Sequence, residues 1–256
     1  IAGKFRFQWS TQVRADLARD PDLVRLMKRA GCHTVFIGFE SVNPQSLAEM
    51  KKSQNLEDIR QAVRIIHEAR IHIHGMFVFG FDGDDWDTAV GTVRFARQMK
   101  LTSVQLLVLT PLPGSELYER LRAEGRIISF DWNLYDTHHV VYRPVGFTPF
   151  ELQCAQVYGH TQLYALSEGL RKLVTGRWVS AGLSFYAWKI NRDWQKGNQP
   201  YLRELKDDSH PLAPAGNGVS CPASASEGGW VDVSRRPASA LLGRDCASPP
   251  ARCAPL

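Results

Sequence analysis

Five cysteines in 256 residues (Cys32, Cys154, Cys221, Cys246 and Cys253) are odd in number and scattered, with none of the paired spacings of a zinc site or a disulfide framework. No Cys-x3-Cys-x2-Cys occurs anywhere in the chain. Long apolar runs are missing as well. Nothing approaches the roughly 18 consecutive apolar residues of a membrane span, and the N-terminus lacks a signal-peptide pattern. Cytoplasm is therefore the expected compartment. The net charge is +5, but like charges never gather into a run and no basic–aromatic module is present, which argues against a nucleic-acid partner. The chain opens on Ile1 rather than Met and enters a strand-like stretch almost at once, which reads as a fragment or a clipped start.

What is present reads as a folded α/β protein. Hydrophobic residues make up 44% of the chain, enough to bury a sizeable core, and one main domain with an appendage is the natural division. Residues 5–13 alternate as a strand, with Phe7, Trp9, Thr11 and Val13 on one face and a polar wall on the other. Asp20-Pro21 then starts a helix whose Leu23, Leu26, Met27 and Ala30 predict its core face, and Gly31 stops it. Cys32 is expected to face the core as a small hydrophobe. A strand follows over 34–40. Asn55 and Asp58 open a helix lined by Ile59, Ala62, Val63 and Ile66. The third strand spans about 72–79, Asp85 caps the next helix, and the fourth strand spans about 103–110 before Ser115 starts a short helix.

Beyond a polar–aromatic connector, the stretch to residue 206 reads as amphipathic helix, ending Trp-rich and basic. The remainder shifts to Ser, Pro, Ala and Gly, a composition unable to bury enough apolar surface to offset its ordering entropy.

Repeated strand–helix units predict a parallel sheet, and in such folds reacting groups collect at the carboxyl ends of strands. Those ends carry Arg14, Glu40 with Ser41, Gly80, and Thr110 with Pro111. Glu40 closes an apolar run, where a carboxylate needs a partner such as a hydroxyl or an amino group, or else a structural Lys or Arg. Gly80 admits a flat group close to the backbone, although a plain turn would also keep its glycines. Pro111-x-Pro113-Gly114 fixes a rigid turn. Arg14 is suited to hold a carboxylate, or to pair on the surface with Asp16 or Asp20. His72-x-His74 has the spacing of a metal hydrolase site, but both begin their strand and read as packing residues at the sheet's floor.

Three ordered segments, TVFIGFES (34–41), GMFVFGFDGD (75–84) and LLVLTPLPGSELY (106–118), resemble the radical S-adenosylmethionine enzymes. The resemblance is to the subgroup that often carries a cobalamin-binding domain and includes anaerobic magnesium-protoporphyrin ester cyclase. The four strand–helix units are half of an eight-fold barrel or the last four of a six-stranded one; the resemblance selects the second, a partial (β/α)6 TIM-like barrel over 1–145, while pattern and composition give a helical extension over 146–206 and a disordered low-complexity tail over 207–256. The resemblance also implies S-adenosylmethionine contacts at Arg14, Glu40, Ser41, Val78, Gly80, Leu109 and Pro111, with no catalytic residue assigned. A 4Fe–4S cluster would take its ligands from outside this chain, and cobalamin would enter through a further domain. Reduction of the cluster would cleave the cofactor to a 5′-deoxyadenosyl radical acting on a small-molecule substrate, with a protein reductant as partner. The family's turn after the apolar strand ends in Glu, where this chain has Asp84, and often has Pro, where this chain has Asp82. Lys52 matches a family lysine but reads as solvated. A non-catalytic scaffold derived from the same fold is the competing reading.

Overall fold

The computed structural model describes residues 7–49 and 55–207. Lys52 and the tail from 208 onward lie outside the described residues, as do positions 5 and 6 of the first expected strand. Strands β1 (Trp9–Val13), β2 (Cys32–Glu40), β3 (His72–Phe79) and β4 (Ser103–Val108) form one sheet in sequence order, every neighbouring pair parallel. Parallel neighbours need long crossovers. These are α1 (Pro21–Arg29), then α2 (Pro44–Glu49) with α3 (Leu56–Glu68), then α4 (Trp86–Gln98). The expected α/β class is thus realised as four parallel strands with helices.

Local chemistry sets the helix starts. The Asp20 carboxylate accepts the Leu23 N–H ahead of Pro21. Asn55 with Asp58, and Asp85 with Thr88, form reciprocal capping boxes that satisfy otherwise orphaned N–H groups. Alternation along the strands then sorts the two faces of the sheet. Val35, Ile37 and Phe39, Ile73, Phe77 and Phe79, and Leu106 and Val108 are buried, and Phe39 and Phe77 meet the edge of Phe95 from α4 at 6.4 and 6.2 Å. Ile59, Ala62, Val63 and Ile66 of α3 are all buried, as their spacing predicts. Each such side chain contributes roughly 1.5–3 kcal/mol relative to exposure, so this layer dominates the fold's stability.

Some expectations are corrected. Helix α1 buries Val24 and packs Met27 against the core as expected, while Leu23, Leu26 and Ala30 are exposed. A 3-10 turn over Ala15–Arg19 packs on α3 and buries Ala15 and Ala18. Phe7 and Gln8 are not part of β1, and β4 stops at Val108, although the Leu109 N–H still donates to the Phe79 carbonyl at 2.9 Å. Strand β2 begins two residues early, and its Cys32 is buried as expected.

After α5 (Glu116–Ala123), capped by Ser115, the connector makes an antiparallel bridge between Ile127 and Tyr142. Helices α6 (Pro149–Leu163), α7 (Leu166–Val174), α8 (Trp178–Gly197) and α9 (Gln199–Asp207) follow. The first of them covers an edge of the sheet. Gln156, His160 and Tyr164, spaced by four, reach β4: the Gln156 amide donates to the Leu106 carbonyl at 3.0 Å and the His160 Nε2–H to the same oxygen at 3.1 Å. The Tyr164 hydroxyl accepts the Val104 N–H at 2.6 Å and donates to the Val104 carbonyl at 2.5 Å. Polar side chains thereby satisfy backbone groups that a further strand would otherwise pair.

Candidate functional site at the strand ends

The sheet face turned away from α4 is only partly covered. Register sets Gln12, Phe36, His74 and Ser103 in one row and Gly38, Met76 and Gln105 in the next, with Val78 and Leu107 paired toward the carboxyl end. None of these is fully buried. At the amino end, the His72 imidazole meets Thr102 Oγ1 at 3.3 Å and the His33 ring at 4.6 Å, and His74 meets Ser103 Oγ at 2.8 Å and the Phe36 ring at 4.9 Å. Burial holds both imidazoles below their ordinary pKa. These are the contacts of packing residues. No group of three or more His, Cys, Asp or Glu among the described residues is arranged to hold a metal ion.

Glu40 is the one carboxylate within the four strands, which hold no Lys or Arg. Its φ of 66° lies in the left-handed region, which costs a side-chain-bearing residue roughly 1–2 kcal/mol. The ladder between β2 and β3 is irregular between Gly38 and Glu40, and the carboxylate folds back over Gly38, where any Cβ would collide with it. A strained backbone that sets a carboxylate on the partly covered face at a strand's carboxyl end is the strongest local sign of a ligand site.

The turn after β3 is held by the protein itself. Asp84 is buried and its carboxylate accepts the N–H groups of Gly80 at 3.0 Å and Phe81 at 3.1 Å and the Ser46 hydroxyl at 2.5 Å. Gly80 has φ 110° and its carbonyl accepts the Tyr142 hydroxyl at 2.5 Å. A Cβ at Gly80 would strike that hydroxyl and stand 2.9 Å from Leu152. Burial pushes the Tyr142 phenol well above its ordinary pKa and keeps it a donor. Two residues beyond Gly80, Asp82 pairs with the buried Arg126 at 2.7 Å, and Arg126 also reaches Glu124 at 3.0 Å and the Arg143 carbonyl at 2.7 Å.

The other expected positions divide. Ser41 is buried beside Glu40, and its hydroxyl accepts the Asn43 N–H at 3.0 Å; Asn43 in turn donates to the Gly83 carbonyl at 2.8 Å and ties the ends of β2 and β3 together. Val78 is half-buried on the partly covered face, Leu109 extends β4 beside Phe79, and Pro111 is buried just after it. Arg14 is 84% exposed in its side chain and pairs with Asp16 at 3.1 Å. Tyr142, Arg126 and Asn43, which shape the turn, were not singled out from the sequence. The free thiols described, Cys32 and Cys154, lie in β2 and α6.

Residues 2–96 match the family model of the Radical SAM superfamily. Among curated proteins it is 34% identical over 142 residues to the bacteriochlorophyllide d C-12(1)-methyltransferase of Chlorobaculum tepidum, covering 55% of this chain and 31% of that one. It is 24% identical over 160 residues to the anaerobic magnesium-protoporphyrin IX monomethyl ester cyclase of Cereibacter sphaeroides, covering 62% and 26%. The chain thus spans about a third or less of these relatives. Among solved structures, the radical S-adenosylmethionine methyltransferase TsrM of Kitasatospora setae, with cobalamin and a [4Fe-4S] cluster bound, aligns with a TM-score of 0.42 at 18% identity, over 46% of this chain and 23% of that one.

Proposed function

We propose that the chain is the cofactor-facing portion of a radical S-adenosylmethionine enzyme, built on the last four units of a partial (β/α)6 barrel. Residues 1–145 would form the barrel part, 146–206 its helical cover and 207–256 a low-complexity tail, in a cytoplasmic protein. The observation that carries the reading is Glu40. Its carboxylate can accept hydrogen bonds from a ribose hydroxyl or the amino group of the methionine moiety, while Val78 and Leu109 offer apolar contact to a flat base. Ser41 and Pro111 shape the strand ends behind them. Bound S-adenosylmethionine would supply radical chemistry toward a small-molecule substrate, with electrons from a protein reductant. The described residues contain no set of three thiolates, so they do not fit a 4Fe–4S cluster, and both cluster and any cobalamin belong to parts outside them.

The test is calorimetric titration of S-adenosylmethionine into the chain and two variants. Glu40→Gln keeps the shape, removes the charge and should weaken binding by on the order of 1–3 kcal/mol, roughly ten- to a hundred-fold. Glu40→Gly should relieve the left-handed strain and raise stability by about 1 kcal/mol while also losing affinity. A chain acting only as scaffold would bind no S-adenosylmethionine. Unchanged affinity in Glu40→Gln, with a loss of stability in Glu40→Gly, would make Glu40 a structural residue and end the proposal.

A further inference from the structure

A helix facing water turns its apolar side chains inward and its charged ones outward. Helix α7 does the reverse. Lys172 is buried, with its ammonium donating to Ser184 Oγ at 2.8 Å and lying over the Tyr164 ring at 5.5 Å, while Leu170 and Val174 are 55% and 88% exposed. Helix α8 repeats the inversion: Ser180, Ala181 and Ser184 are its buried positions, and Trp178, Leu183, Tyr186 and Ile190 face solvent. The two helices pack as a hairpin, with Gly169 against the Phe185 ring, and the apolar stripes join through the tight turn at Gly176 (φ 73°). Such a surface is larger than scattered exposed leucines and calls for a covering partner.

The rim identifies the partner. Arg171, Lys189, Arg192 and Lys196 are exposed around the stripe, and residues 166–197 hold six Lys or Arg against two acidic residues. We propose that the α7–α8 hairpin docks on an anionic lipid surface, its apolar stripe in the headgroup boundary and its basic rim on the phosphates. No helix among the described residues is long and apolar enough to cross a membrane, so the contact is peripheral. A second copy is a poorer occupant because a two-fold contact would set the basic rim against itself. The segment 208–256, with four Arg against four acidic residues, has no excess negative charge to answer the rim.

Co-sedimentation of the full chain with phosphatidylcholine vesicles, with and without phosphatidylglycerol, tests this. Binding should require phosphatidylglycerol and fall about tenfold on moving from low salt to about 0.5 M, as screening predicts. Val174→Ser/Trp178→Ser/Tyr186→Ser should lower it by at least about tenfold, and Val174→Ser alone should give a smaller loss should the triple variant fold poorly by circular dichroism. Absence of binding, or equal binding to both vesicles, would overturn the proposal. So would a dimer in sedimentation equilibrium that the triple variant dissociates, or vesicle binding that appears only after residues 208–256 are removed.

Discussion

Acidification probes the covered edge of β4 through one side chain. The His160 Nε2–H donates to the Leu106 carbonyl, and burial pushes the imidazole pKa down to about 4 even though that hydrogen bond opposes the shift. An unfolded histidine titrates near 6.5. Between those values the unfolded chain binds a proton that the native chain does not, so this contribution is intact above about pH 6.5 and is lost as the pH falls toward 4. The whole span is worth roughly 3 kcal/mol, of which about 2 kcal/mol falls between pH 7 and 5. The ring keeps some contact with solvent, which makes these upper figures. Urea unfolding of the wild type and His160→Gln at both pH values measures the effect, because Gln keeps a donor near Leu106 and cannot titrate. Burial also lowers His67, His72, His74 and His138, which steepens the pH dependence of both proteins alike. The variant should therefore lose about 2 kcal/mol less than the wild type on going from pH 7 to 5. Equal losses would show that His160 is already protonated in the native state or that the edge contact is not formed.

Tyr142→Phe leaves the buried Gly80 carbonyl without its hydroxyl donor and should cost about 1–3 kcal/mol in urea unfolding. Gly80→Ala should cost more, through its positive φ and its collision with that hydroxyl; the double variant should recover part of the loss, whereas strictly additive losses would argue against the contact. Arg126→Met, read by thermal unfolding, should cost about 2 kcal/mol, discounted because Asp82 and Glu124 keep access to water. An unchanged midpoint for that variant would show that the Asp82–Arg126 pair does not stabilise the turn.

Much of the sheet was legible because its signals are local. Caps at Asp20, Asn55, Asp85 and Ser115 lie within three residues of the groups they satisfy, and the two-residue alternation of β3 separates Ile73, Phe77 and Phe79 from His72, His74 and Val78 without help from elsewhere. The face of α1 was misread because what it packs against is decided by the turn at Ala15–Arg19, a tertiary choice that periodicity does not carry. Glu40 was legible as a carboxylate ending an apolar run, but its left-handed backbone was not, since only the neighbouring Gly38 hints at the crowding. The pairs Tyr142–Gly80 and Arg126–Asp82 join residues far apart in sequence. The cover on β4 did leave a trace: Gln156, His160 and Tyr164 repeat every four residues along a helix whose neighbours Leu152, Ala155 and Leu163 are buried.

The turn after β3 is built from groups that the protein itself has already used. Around the turn after β3, the Gly80 carbonyl is taken by Tyr142, its N–H and that of Phe81 by Asp84, and Asp82 by Arg126. Gly146 lies so close to the Asp84 carbonyl that it has no room for a Cβ. The bareness of Gly80 therefore serves the approach of Tyr142 and Leu152 from the connector and α6, and leaves that face of the glycine closed to a flat ligand. On the proposed reading, ligand contacts fall instead to Glu40 and to the apolar pair of Val78 and Leu107, with Leu109 beyond them, on the partly covered face. On that reading, a turn locked by its own chain and a carboxylate held in a strained backbone would form a preorganised support, leaving little ordering to be done when a ligand binds.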